Sequence, residues 1–163
     1  MSKDWKEKSR PEDLQRLRGF RLMDDDFMSK CFEENIECTE LVLQIVLGRD
    51  DLKVEKVAIQ HQLKNLQGRS VIFDIYATDH AGKRYNVEIQ RADRGAGAKR
   101  ARYHSSLIDA NVTEPGEKLE NLVETYVIFI TERDVLGKGK PIYHIDRVIK
   151  ENGENFGDEA HIL

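Results

Sequence analysis

Asp74 and Glu88 lie in two strand-like runs, VIFDIYATD and KRYNVEIQ, joined by the turn sequence DHAG. A three-residue loop with glycine in the left-handed position takes up His80, Ala81 and Gly82. Asp79 then faces Lys83, and that register sets Asp74 directly across from Glu88. Opposed side chains on one face have Cβ atoms about 5 Å apart, and like charges there destabilise a sheet. A bound divalent cation would turn the repulsion into a ligand set, and hard oxygen donors suit Mg2+ or Mn2+. The alternative is two surface carboxylates, each relaxed into water. The pair shares its face with Ile72, Tyr76, Asn86 and Gln90. The other face, with Phe73, Ile75, Tyr85, Val87 and Ile89, is apolar enough to bury against a helix.

Glu40 is a third candidate metal ligand. Its neighbours at helical spacing are Ile36, Leu43 and Leu47, so it sits on an apolar flank where a carboxylate without a partner is costly. A metal, a buried hydrogen-bond partner or an edge position that lets it reach water would each account for it. Arg91, Arg94, Lys99, Arg100 and Arg102 gather at and before the start of a helix. Cations there oppose the helix dipole. A phosphate would satisfy both dipole and guanidinium groups, and a solvated charged turn is the competing account. The histidines His61, His80, His104, His144 and His161 have no metal-ligand spacing and read as surface or hydrogen-bonded residues.

These residues need elements to hold them. Residues 24–47 read as one helix, opened by Asp24, Asp25 and Asp26 and closed by Gly48. Three strands follow, VEKVAIQHQLK, VIFDIYATD and KRYNVEIQ, then a helix over 98–112 and a strand ETYVIFITE. The third strand, helix and fourth strand suit one crossover. Residues 134–149 hold a glycine-rich loop and a short strand or helix, and ENGENFGDEAHIL shows no clear structure. The expected fold class is α/β, in the order α-β-β-β-α-β. Its parts are a polar basic arm at 1–21, a domain at 22–150 and an acidic tail at 151–163.

The chain has 163 residues, 39% hydrophobic and 34% charged, with a net charge of −4. That suffices for one core and supplies no global basic field, so any nucleic-acid contact rests on a local patch. No apolar run approaches the ~18 residues of a membrane span, and MSKDWKEKSR is too polar for a signal peptide. Cys31 and Cys38, seven apart on one expected helix, would be about 10 Å apart, too far for a disulfide. This points to a reducing cytoplasm.

With its first helix, its three-stranded meander, Asp74 and the E-I-Q at 88–90, the chain resembles the PD-(D/E)XK nuclease superfamily. It is most similar to the PD-(D/E)XK nuclease-family transposases, related to recombination-promoting nucleases. The resemblance runs from Asp24 to about residue 160 and rests on GRSVIFDIYATDHAGKRYNVEIQRAD, KRARYHSSLID, YVIFITE and GKGKPIYHIDR. It implies a restriction-endonuclease-like core, a mixed central sheet flanked by helices, and phosphodiester hydrolysis in DNA with a divalent metal. Asp74 would match the first acid of the motif, Glu88 the second, and Gln90 the position of its lysine. Arg102 and Tyr103 would match an RAR-aromatic motif. Glutamine carries no charge, and the chain stops where family members continue into another strand and helical region, as a shortened natural protein or a truncated one would. Two readings therefore stand: a metal-dependent DNA endonuclease of a mobile-element family, and a catalytically weak or inactive nucleic-acid-binding or protein-interaction module that keeps the fold. Double-strand cutting needs two sites, which a homodimer would supply.

Overall fold

The computed structural model describes residues 23–33, 35–65, 67–91 and 96–163, together with Glu12, Gln15, Arg18, Gly19 and Arg21. Most of the 1–21 arm, and Arg94, therefore lie outside the described residues.

The single helix expected over 24–47 is two helices. α1 spans Asp25–Phe32 and α2 spans Ile36–Leu47. The break is made by Asn35, whose side chain accepts the Cys38 N–H at 3.1 Å and caps α2. Asparagine competes with helical backbone bonding in this way and gains most at an N-cap. Cys31 and Cys38 thus sit on different helices, and both are free thiols. Gly48 ends α2 in the left-handed conformation, φ 63°, as expected.

The sheet has five strands in chain order: β1 (Val54–Leu63), β2 (Val71–Asp79), β3 (Arg84–Gln90), β4 (Thr125–Thr131) and β5 (Ala160–Ile162). The first three form the expected antiparallel meander. β4 pairs parallel with β3 after α3 (Ala98–Val112), as a crossover requires. β5 is an addition: the tail end expected to be unstructured pairs parallel with β4. Residues 134–149 hold turns, with isolated bridges Ile145–Ile162 and Val148–Asn155, in place of the expected strand or helix. Among the described residues no helix is long and apolar enough to cross a membrane.

The β2–β3 turn takes the expected form. Gly82 has φ 82°, and its N–H donates to the Asp79 carbonyl. Asp79 Oδ1 accepts the N–H groups of Ala81 and Lys83, both at 2.9 Å, while Oδ2 takes the Tyr85 hydroxyl at 2.8 Å. The resulting register opposes Ile75 to Val87 and Ala77 to Tyr85.

Helices cover both faces. α1 and α2 contribute Met28, Phe32 and Leu43 to one apolar cluster with Ile75, Ala77, Tyr85, Val87 and Ile128. α3 contributes Ala101, Leu107 and Ile108 to the other, with Leu63, Phe73 and Val127. Phe73 was expected beside Ile75 and lies instead on the α3 side. The reason is a change of phase within the β1–β2 hairpin. Ile59 and Ile75 face α1 and α2, whereas Leu63 and Phe73 face α3. Strict alternation would put 73 and 75 on one face. The switch falls at Gln60, which holds a positive φ of 48° that is uncommon for a residue with a side chain, and at Asp74 beside it.

Candidate active site

Asp74 sits where β2 parts from β3. The paired register ends at Ile75–Val87. One step further, the Ile89 N–H of β3 donates to Asp74 Oδ2 at 2.9 Å. A side-chain carboxylate has taken a donor that an unbroken ladder would give to a carbonyl of β2. The other oxygen, Oδ1, meets the Gln60 amide nitrogen at 3.4 Å. The phase change in β1 and β2 thus turns Asp74 toward the end of β3.

Glu88 lies on that strand and is fully buried. Its Oε1 accepts the Asn86 amide at 2.8 Å, and its Oε2 accepts Arg100 Nη2 at 2.7 Å. Burial pushes its pKa up, Asn86 pulls it down, the charge of Asp74 raises it further, and Arg100 opposes that rise. The net direction is upward, as for a carboxylate held close to a like charge in a place poor in water.

The remaining residues divide. Gln90 ends β3, two and four residues beyond Glu88 and Asn86, so strand alternation gives the three one face. Arg100 was expected to face phosphate and instead turns inward to Glu88. Lys99 sits beside it on the first turn of α3 and is exposed, as is Arg102. Arg91 pairs with Asp24. Glu40 is not brought to the pair. It accepts Lys53 Nζ at 2.7 Å and the Val54 N–H at 3.0 Å. Val54 is opposite Asp79, at the far end of β2 from Asp74. Of the flank residues Leu43 is buried and Ile36 is exposed, and a salt bridge with a backbone hydrogen bond accounts for the carboxylate there.

His104 was missed as a member of the site. It is 2% exposed, lies between Phe73 and Phe129, and meets Asn86 through Nδ1 at 3.1 Å and Arg100 through Nε2 at 3.3 Å. Burial first, then the Arg100 charge, lower its pKa to about 4. A signal was available: His104 is four residues after Arg100, one helical turn on, and Asn86 is two before Glu88.

Among the described residues no three His, Cys, Asp or Glu side chains converge as a metal cage. Magnesium does not require one. It is commonly held by one or two carboxylates, with water and substrate phosphate completing its shell. Asp74 and Glu88 fit that requirement: both are hard oxygen donors, and each oxygen keeps a lone pair beyond the bonds described.

A mixed sheet between helices, with two acids where its meander opens, is the framework of an α/β nuclease core. The chain belongs to the PD-(D/E)XK nuclease family transposases, whose family model matches residues 31–163. Nucleases of this kind act on DNA and generally use divalent metals. No curated protein and no solved structure matches the chain.

Proposed function

We propose that the protein is a metal-dependent DNA endonuclease of a mobile-element or transposase-associated type, with Asp74, Glu88 and Gln90 as its catalytic residues. The observation that carries this reading is the approach of Asp74 to the end of β3, beside Glu88, at the place where the β2–β3 ladder opens. Asp74 and Glu88 would hold Mg2+ or Mn2+, which when bound supplies charge stabilisation at the phosphoryl oxygens and a more acidic water. The Gln90 amide can orient water or donate to a phosphate oxygen. Lys99 and Arg102, exposed on the first turns of α3, and Arg91 before it, would meet the DNA backbone. Cutting both strands would use two sites, and a homodimer, read by analytical sedimentation, would provide them. The two free thiols suit a cytoplasmic location, which fractionation of cells would test.

Asp74→Ala should abolish metal-dependent nicking of supercoiled plasmid while the circular dichroism spectrum stays that of the parent. Undiminished cutting by a folded Asp74→Ala protein would overturn the proposal. A second reading, a weak or inactive DNA-binding module, is favoured by the burial of Glu88 and by Gln90 in the lysine position. Metal-dependent DNA binding without any cutting would establish it.

A further inference from the structure

Glu88 and three side chains around it, Asn86, His104 and Arg100, close into a ring whose hydrogen-bond direction follows from chemistry alone. Arginine can only donate, and an ionised carboxylate can only accept. Arg100 Nε faces His104 Nε2 at 3.3 Å, so that ring nitrogen holds a lone pair. The imidazole proton is then on Nδ1, which donates to Asn86 Oδ1 at 3.1 Å. With its oxygen so engaged, Asn86 must offer its NH2 to Glu88 Oε1, as it does at 2.8 Å. Arg100 Nη2 reaches the other oxygen, Oε2, at 2.7 Å. The opposite amide flip would aim an oxygen at a carboxylate, and a proton on His104 Nε2 would oppose the guanidinium. Asn86 and Glu88 are 0% exposed and His104 is 2% exposed, so water is not at hand to replace a lost partner. The rings of Phe73 and Phe129, with centroids 4.9 and 6.0 Å from that of His104, flank the imidazole.

We infer that His104 and Asn86 are positioning residues for the Glu88 carboxylate. Held as the Nδ1–H tautomer between Arg100 and Asn86, His104 fixes the amide that orients Glu88 for its cation. Neither residue touches the metal or the scissile phosphate. Partners of this kind commonly change metal affinity by about 10–100-fold when removed. The inference rests on the reading of Glu88 as a metal ligand.

Two measurements test it. The first is a two-bond 15N–1H spectrum of the imidazoles at neutral pH. Wild-type His104 should show the Nδ1–H tautomer, and an Nε2–H tautomer would overturn the inference. The second is Mn2+ affinity by calorimetry, without DNA or turnover. His104→Gln presents an acceptor and a donor at about imidazole spacing and should keep affinity within about threefold of the wild type. His104→Phe and Asn86→Leu should lose about tenfold or more. Folded His104→Phe protein with wild-type affinity would overturn the inference alone, provided that Asp74→Ala abolishes Mn2+ binding. Equal loss in folded His104→Gln and His104→Phe would also overturn it. Should the Phe variant not fold, the tautomer and the Gln variant decide. A wild-type protein that binds no Mn2+ would overturn both the metal reading and the positioning role.

Discussion

His104 makes the stability of the fold depend on pH in a direction that can be worked out. In the unfolded chain its imidazole returns to the ordinary value of 6.5, whereas burial and Arg100 hold it at about 4 in the fold. As pH falls the unfolded chain gains the proton first, so the contribution is whole above 6.5 and is lost toward 4. The loss is about 2 kcal/mol between pH 7 and pH 5. Glu88 acts in the opposite sense. Its folded pKa is raised, so its charged burial opposes folding as pH rises through that value. Urea unfolding of His104→Gln at both pH values should therefore show a smaller loss on acidification than wild type, and parallel profiles would show that His104 is not held neutral. At Gln90 the proposed chemistry gives a different expectation. A lysine there adds a charge-assisted hydrogen bond that strengthens as charge develops on phosphate, while its ammonium repels a neighbouring cation. Gln90→Lys should need more Mn2+ and cut faster at saturation. A variant slower at every Mn2+ concentration, though folded and DNA-bound, would make glutamine itself the working residue.

The elements were legible to different depths, for identifiable reasons. The β2–β3 hairpin could be read to the residue as far as Ile75–Val87, because Gly82 has to supply the left-handed position and the pairings up to there follow from it. The crossover through α3 was legible from helical spacing between two apolar strands. The break at Asn35 was not, because hydrophobic spacing continues across it from Cys31 to Cys38, and the competition of one side chain with the helix backbone leaves that pattern intact. β5 escaped because three residues carry too little alternation to stand out in an acidic tail. Phe73 was misplaced for a related cause: alternation presumes an unbroken pleat, and the positive φ of Gln60 breaks it. At the site, the turn register brings Asp74 to the end of β3, but the direct opposition to Glu88 expected from it is not formed: the ladder ends at Ile75–Val87, and Asp74 accepts the Ile89 N–H instead. The inward turn of Arg100 and the burial of His104 depend on how α3 packs over β3, which only tertiary structure decides. Glu40 shows the limit from the other side, since an apolar helix flank needs some partner for its acid but does not say which.

Across the whole molecule the charge is −4, so attraction to DNA would have to come from a local basic face, and the one proposed carries Lys99 and Arg102. If those two meet phosphates, replacing both with alanine should weaken binding to all sequences alike and lower the salt slope by about two. Weakened binding with an unchanged slope would place the contacts elsewhere. The phase change at Gln60 and Asp74 has a mechanical consequence of its own. A ribbon given a half turn shows one side to each neighbour in succession, so the β1–β2 hairpin stitches the α1–α2 layer and the α3 layer together. Neither layer can peel away while that hairpin stays zipped. The amides of Leu43 in α2 and Ile108 in α3 should then exchange with solvent through one shared opening, with equal free energies that shift together in denaturant. Unequal values would mean that the stitch can slip and let one layer breathe while the other stays shut.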